Sequence, residues 1–203
     1  MTPVRQRTAR RNGAFRLTSA VRPVAPETWQ GRAGYRLGRF RDSRTSVPML
    51  VASVSAEQLW DVFCAWTQCL APVVDVILET SHDSPQGQHT DFWRQGIDQP
   101  VLLSHLLEDD DLVLNDGCTG IAVLEAETGT EIQWDEHKLL IAYAEDLQPF
   151  LAVLEEQGLV RDQSLPLICS VDHLHVTSPR YRERFFLLCE RLGATQEAAT
   201  FLG

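Results

Sequence analysis

The sequence predicts an α/β domain, a layered mixed sheet with helices packed on it and an internal β-α-β-α duplication. Two observations lead there. Between residues 46 and 203, short β-branched runs alternate with apolar stripes at helical spacing. Gly, Pro, Asn and Asp punctuate the boundaries between them.

The elements follow in order. Ala14 to Ala20 reads as a short strand, and Gly34 to Phe40 as an edge strand whose alternation leaves arginines exposed. Pro48 to Val54 is a buried strand. Ser55 and Gln58 have capping-box spacing ahead of a helix whose stripe is Leu59, Val62, Phe63, Trp66 and Leu70. Pro72 interrupts, and Val73 to Leu78 is the next strand, ending in Glu79-Thr80-Ser81-His82-Asp83. A polar loop with Pro85 and Gly87 leads to a helical start at Thr90 to Trp93, broken at Gly96. Asp98 begins a helix through Leu107. Asp111 to Leu114 and Ile121 to Leu124 flank a turn-rich segment and read as a hairpin. Thr130 to Trp134 and Lys138 to Tyr143 are strands, Glu145 to Gln157 a helix stopped by Gly158, and Leu165 to Val171 the last strand. Ser178-Pro179 opens the final helix, with cap and first-turn proline in their favoured places, and Gly193 ends it.

This order repeats. Strand, helix, strand, loop, helix from Met49 to Leu107 matches the same series from Leu139 to Leu192. At a constant offset of 88, Leu59, Val62, Phe63 and Trp66 correspond to Leu147, Phe150, Leu151 and Leu154.

Charge divides the chain into a basic arm (residues 1–45) and an α/β domain (residues 46–203). The first 44 residues hold 11 arginines against Glu27 and Asp42, although the whole chain has 28 acids to 18 bases. An acidic body opposes a polyanion at long range, so the arm is expected to lie on its own body or on a partner subunit, with a free tail and nucleic-acid binding the lesser alternatives. The run Glu108 to Asp111 is a solvated loop or a dock for that arm. Composition, 44% hydrophobic and 23% charged, is globular. No apolar stretch reaches the roughly 20 residues of a membrane span. No secretory signal is evident, and one lysine beside 17 arginines suggests a GC-rich, bacterial genome. These features point to the cytoplasm. Five scattered cysteines without a C-x-x-C pair argue against a disulfide framework or thiolate zinc.

One constellation is fit for chemistry. In open parallel sheets ligands bind beyond the carboxyl ends of the strands. The two equivalent strands end in Glu79-Thr80-Ser81-His82 and Asp172-His173-Leu174-His175, each an acid with a histidine three places on. Glu79, His82, Asp172, His173 and His175 are the candidate binding residues. His82, His175 and Asp172 are the candidate ligands for a divalent metal, the only cofactor the sequence suggests. His89, Asp83 and Asp91 lie near enough in sequence to join. The plainer account gives each histidine its own backbone partner. Glu136-His137-Lys138 reads as surface, and Cys118 as a half-buried turn residue.

Two functional expectations result. The first is a non-catalytic binding or protein-interaction module, homodimeric through its arm. The second is a small metal-dependent or His/Asp-based hydrolase with its site at the ends of the strands at 73–79 and 166–172.

Overall fold

The computed structural model describes residues 14–43, 45–84 and 88–196. The arginines at 5, 7, 10, 11 and 44, and the loop residues Pro85 and Gly87, therefore lie outside the described residues. Among the described residues there are nine strands: β1 (Val21–Pro23), β2 (Gly34–Arg41), β3 (Ser46–Ser53), β4 (Val73–Thr80), β5 (Thr90–Asp98), β6 (Thr119–Glu125), β7 (Thr130–Trp134), β8 (Leu140–Tyr143) and β9 (His173–His175). Strands β2 to β8 form one sheet in the order β2-β3-β8-β7-β6-β4-β5, while β1 and β9 make a separate two-stranded ribbon. The helices are α1 (Leu59–Thr67), α2 (Gln99–Glu108), α3 (Asp110–Asn115), α4 (Gln148–Glu156) and α5 (Pro179–Leu192).

Alternation along the strands decides which sheet face is buried. Leu50 and Ala52 lie opposite Ala142 and Leu140, which lie opposite Ile132 and Trp134. Those face Val123 and Ile121, which in turn face Val76 and Leu78. This continuous apolar face receives the helices: Leu59, Val62, Phe63 and Trp66 of α1, Phe150 and Leu154 of α4, Leu102 and Leu106 of α2, and Phe185 and Leu188 of α5 join it in one core. The Trp66 indole N–H donates to the Phe150 carbonyl at 3.1 Å, so α1 and α4 share a polar pin inside the apolar layer. On the other face Val51 and Leu139 are covered by Leu165 and Leu167, and the sheet otherwise shows half-buried polar side chains such as Glu79, Glu131 and Gln133.

An α/β layered domain is thus present, with an antiparallel rather than a mixed sheet: every named strand pairs antiparallel with its neighbours. Ala14 to Ala20 is not a strand; the extended pairing begins at Val21. Thr90 to Trp93 belongs to β5, not to a helix. Phe92 faces inward onto Phe185 and Phe186, while Gly96 (φ 61°) sits where the pairing with β4 changes register. Asp111 to Leu114 lies in α3 rather than in a hairpin strand, and Asp110 and Asp111 in its first turn suit the helix dipole. Among the described residues the acidic run docks on α5: Arg184 bonds Asp109 at 3.0 Å and Asp111 at 2.9 Å, and Arg191 pairs with Asp109. Within the described arm, Arg16 pairs with Glu57 and Arg32 with Asp162, so these residues do lie on their own body.

Leu165 to Val171 is not a strand. It crosses the outer sheet face with Leu165 and Leu167 turned down, and closes in a short 3-10 turn at Ile168–Ser170. The duplication loses its second half with it. The first strand–helix pairs do lie side by side, β3 against β8 and α1 against α4. Beyond them β4 runs mid-sheet with no counterpart, and none of the flanking strands pair in parallel.

Phe63, fully buried between Trp60 and Trp134, is a core test. Phe63→Ala should lower the unfolding free energy in urea by about 3–5 kcal/mol. Leu187→Ala, at a side chain 55% exposed on α5, should change it by no more than about 0.5 kcal/mol. Similar losses at both positions would contradict this core.

Candidate metal centre

Antiparallel strands bring the β4–β5, α3–β6 and β7–β8 connections to one end of the sheet, where the β1–β9 ribbon crosses them. Five of the six histidines lie in these segments: His82, His89, His137, His173 and His175.

The β7–β8 turn is built by Asp135. Its Oδ1 accepts from the Leu139 N–H at 2.8 Å, and its Oδ2 accepts from His137 Nδ1 at 2.9 Å. Lys138, in the left-handed region at φ 61°, sends its side chain under the sheet end, where Nζ donates to the Thr119 carbonyl at 2.8 Å. Holding a non-glycine residue at such a φ costs on the order of 1 kcal/mol, which this buried bond offsets. Burial lowers the Lys138 pKa to about 8, although Asp116, Asp135 and Glu136 pull it upward.

His173 and His175 lie two apart on β9 and so project to the same side. They meet His137 there, with ring centroids 4.8 Å from His137 in both cases and 5.0 Å between the two. One ring nitrogen of each of the three lies within 4.8 Å of the other two. His173 Nδ1 bonds the Val171 carbonyl at 2.7 Å and His175 Nδ1 the Gly117 carbonyl at 2.6 Å. A carbonyl only accepts, so both Nδ1 atoms carry hydrogen, and the Asp135 carboxylate imposes the same tautomer on His137. Each neutral ring then keeps its lone pair on Nε2. The Nε2 atoms of His173 and His175 face each other at 3.1 Å, where two neutral rings would oppose their lone pairs unless a proton or a metal ion lies between them. Tetrahedral bonds of about 2.0–2.1 Å would set two such nitrogens roughly 3.3 Å apart. Burial lowers the His175 pKa. At His137 burial acts the same way, but the Asp135 hydrogen bond and charge prevail and the net shift is upward.

Glu136 stands beside this triad, Oε1 3.9 Å from His175 Nε2. Its other oxygen is held by His89 Nε2 at 3.0 Å and by the Ser81 hydroxyl at 3.2 Å. Burial works against its charge, yet the His89 bond and the surrounding imidazoles keep its pKa below the usual value. Glu79 lies one step further out, 3.7 Å from His89 Nδ1, with its pKa raised by burial to about 7.

The candidate residues divide accordingly. His173 and His175 are at the centre. Asp172 is exposed; its carbonyl accepts the Val24 N–H at 2.8 Å, and alternation along the chain separates its side chain from the two imidazoles. His82 belongs to a second, buried cluster. Its Nε2 donates to Asp116 Oδ2 at 3.1 Å, and its Nδ1 meets the Thr80 hydroxyl at 2.6 Å. Asp116, fully buried, also accepts from the Thr119 and Thr177 hydroxyls. Cys118 stands near His82 and Asp116, half-buried, with its thiol pKa raised by burial. His82 thus groups with Asp116 and Cys118, Asp172 stands exposed, and His137 joins His173 and His175. His137 was read as surface from its charged neighbours, Glu136 and Lys138. The available signal was its position between two strands ending at the histidine-rich edge. All five cysteines are free, and no helix among the described residues is long and apolar enough to cross a membrane.

No family model, curated protein or solved structure matches the chain. The function is therefore argued from the geometry alone.

Asp116 sets a pH test. Burial favours its neutral form, but donation from His82, Thr119 and Thr177 outweighs this and holds its pKa below 3.8. A depressed carboxylate contributes stability above its unfolded pKa and loses it as pH falls through the native value. Asp116→Asn should therefore cost about 1–3 kcal/mol at neutral pH, a gap that narrows as the pH falls below the unfolded carboxylate's range and through the lowered native value. A gap independent of pH in urea titrations would refute the assignment.

Proposed function

We propose that the protein is a zinc-dependent hydrolase whose ion is held by Nε2 of His137, His173 and His175. The observation that carries this reading is the convergence of three imidazoles whose Nδ1 atoms are all committed to acceptors. Such outer partners fix the ring and its tautomer for a metal, and three protein ligands with a fourth position open are the pattern of catalytic rather than structural zinc. Imidazole donors without thiolate suit zinc, copper, nickel or iron, and three histidines with a fourth position open match the catalytic zinc pattern.

A divalent ion held by these three residues would supply an acidified water, its pKa brought from 15.7 to about 7. The chain supplies the rest. Glu136 is the general base: one oxygen is fixed by His89 and Ser81, and the other lies 3.9 Å from His175 Nε2. Asp135 and the Gly117 and Val171 carbonyls hold the three rings in the ligating tautomer.

A second reading, an interaction module that also associates with itself, is favoured by a different observation. Val24, Leu174 and Val176 form an exposed apolar row on the β1–β9 ribbon, at 57%, 46% and 36% exposure. Leu174→Asp should then shift the mass in solution without changing metal content.

The hydrolase reading is checked by elemental analysis and by turnover of activated esters and phosphodiesters. The intact chain should hold one zinc. Glu136→Gln should keep the zinc and lose roughly 10²–10⁴-fold in turnover. His137→Ala should lose both. A chain that takes up no zinc, or a Glu136→Gln protein with full turnover, would refute it.

A further inference from the structure

Building on the metal centre above, we propose that residues 14–24 form a strap that locks it, so that strap docking and metal uptake are one linked event. Two of the three ligands stand on β9, a strand of three residues whose ladder partner is β1. So short a strand has too few bonds to hold a fixed register alone. The strap provides it: Val21 lies opposite His175 and Pro23 opposite His173. The pairing continues at both ends, with Val176 N–H donating to the Ala20 carbonyl and Val24 N–H to the Asp172 carbonyl, each at 2.8 Å.

The strap is itself anchored at a distance from the centre. The Arg16 carbonyl accepts from the Ala56 N–H at 2.9 Å, and the Arg16 N–H donates to Ser55 Oγ at 3.1 Å. The Ser19 hydroxyl donates to Asn115 Oδ1 at 2.9 Å, at the end of α3. Ala20 and Val21 are buried.

Gly117 joins strap and ligand. A Cβ there would lie 2.3 Å from the Ala20 carbonyl oxygen and 2.8 Å from the Val176 nitrogen, so only glycine lets the ribbon pass this close. The Gly117 N–H donates to the Val176 carbonyl at 2.8 Å, and its own carbonyl fixes His175 Nδ1. Lifting the strap therefore removes the register of His173 and His175 and disturbs the group that sets the His175 tautomer. Linkage makes the effect reciprocal: whatever factor docking adds to metal affinity, metal adds to docking. The N-terminal arm thus reports metal occupancy, and a partner that pulls the arm away releases the ion.

The experiment uses the full chain. Amide exchange of residues 14–24 is compared in zinc-loaded and chelator-stripped protein, and zinc affinity is measured by competition with a chromophoric chelator. Zinc should slow exchange in the strap by about tenfold or more. Arg22→Pro, which removes an N–H from the middle of β1, should weaken zinc binding by a similar factor while circular dichroism stays native. If that variant fails to fold, the exchange comparison on the unaltered chain decides. Zinc uptake with unchanged strap exchange overturns the lock and leaves the centre standing. Failure of the unaltered chain to take up zinc overturns the centre and the lock together.

Discussion

The end of the sheet that carries the histidine clusters depends on the carboxylate of Asp116, buried completely and reached by three donors from three segments. His82 comes from the β4–β5 connection, Thr119 from the start of β6 and Thr177 from the link between β9 and α5. A buried charge is tolerated only when such donors replace water, and removing one leaves the full desolvation penalty. That penalty fixes the relative positions of the loops. Gly117, which meets His175 and the strap, is the next residue in the chain. The second histidine cluster is therefore the mount on which the first is held.

The antiparallel sheet explains why such a mount is needed. A parallel α/β sheet gathers its ligand at strand carboxyl ends, with helix N-termini close by. Here all the helices described in the core pack on one face, and the sheet end is left to loops and a ribbon. Positions in loops are less rigid than positions on strands or helices. The structure offsets this with short-range bonds, each doing two tasks. Asp135 closes the β7–β8 turn with one oxygen and orients His137 with the other. Lys138 turns the backbone at φ 61° and ties it to Thr119.

Much of the fold was legible in the residues. The stripes of α1, α4 and α5 became the core, and β2, β3, β4, β6, β7 and β8 lie close to their expected positions, because apolar periodicity is a local property of sequence. Failures came where a tertiary partner overrode local preference. Phe92 and Trp93 suit a helix or a strand, and pairing with β4 selects the strand. Leu165 and Leu167 have strand composition, but they meet the face of a sheet rather than an edge. The site was half legible. His173 and His175 stand two apart and declare a shared side, whereas His137 lies 36 residues away and joins them only through the β7–β8 turn. His82 was chosen by analogy with strand ends in a duplication the fold does not carry through, and burial with Asp116 gives it a different task.

The deciding property of the triad is the direction in which its hydrogens point. Histidines with unrestrained rings could settle their mutual repulsion by rotating or by exchanging tautomers. These three cannot do so freely, because Val171, Gly117 and Asp135 each require a hydrogen on Nδ1. Protonation of Nε2 relieves one pair of facing lone pairs, but it adds charge to a cluster in which burial already disfavours the charged His175. A divalent ion would relieve the repulsion for all three rings with a single bound species, and Glu136 and Asp135 beside it would lower the cost of its charge. An arrangement that leaves Nε2 lone pairs facing one another, partly exposed and next to an oriented carboxylate, is costly for three neutral rings. That cost is the physical reason for reading the cluster as a metal centre rather than as three separately satisfied histidines.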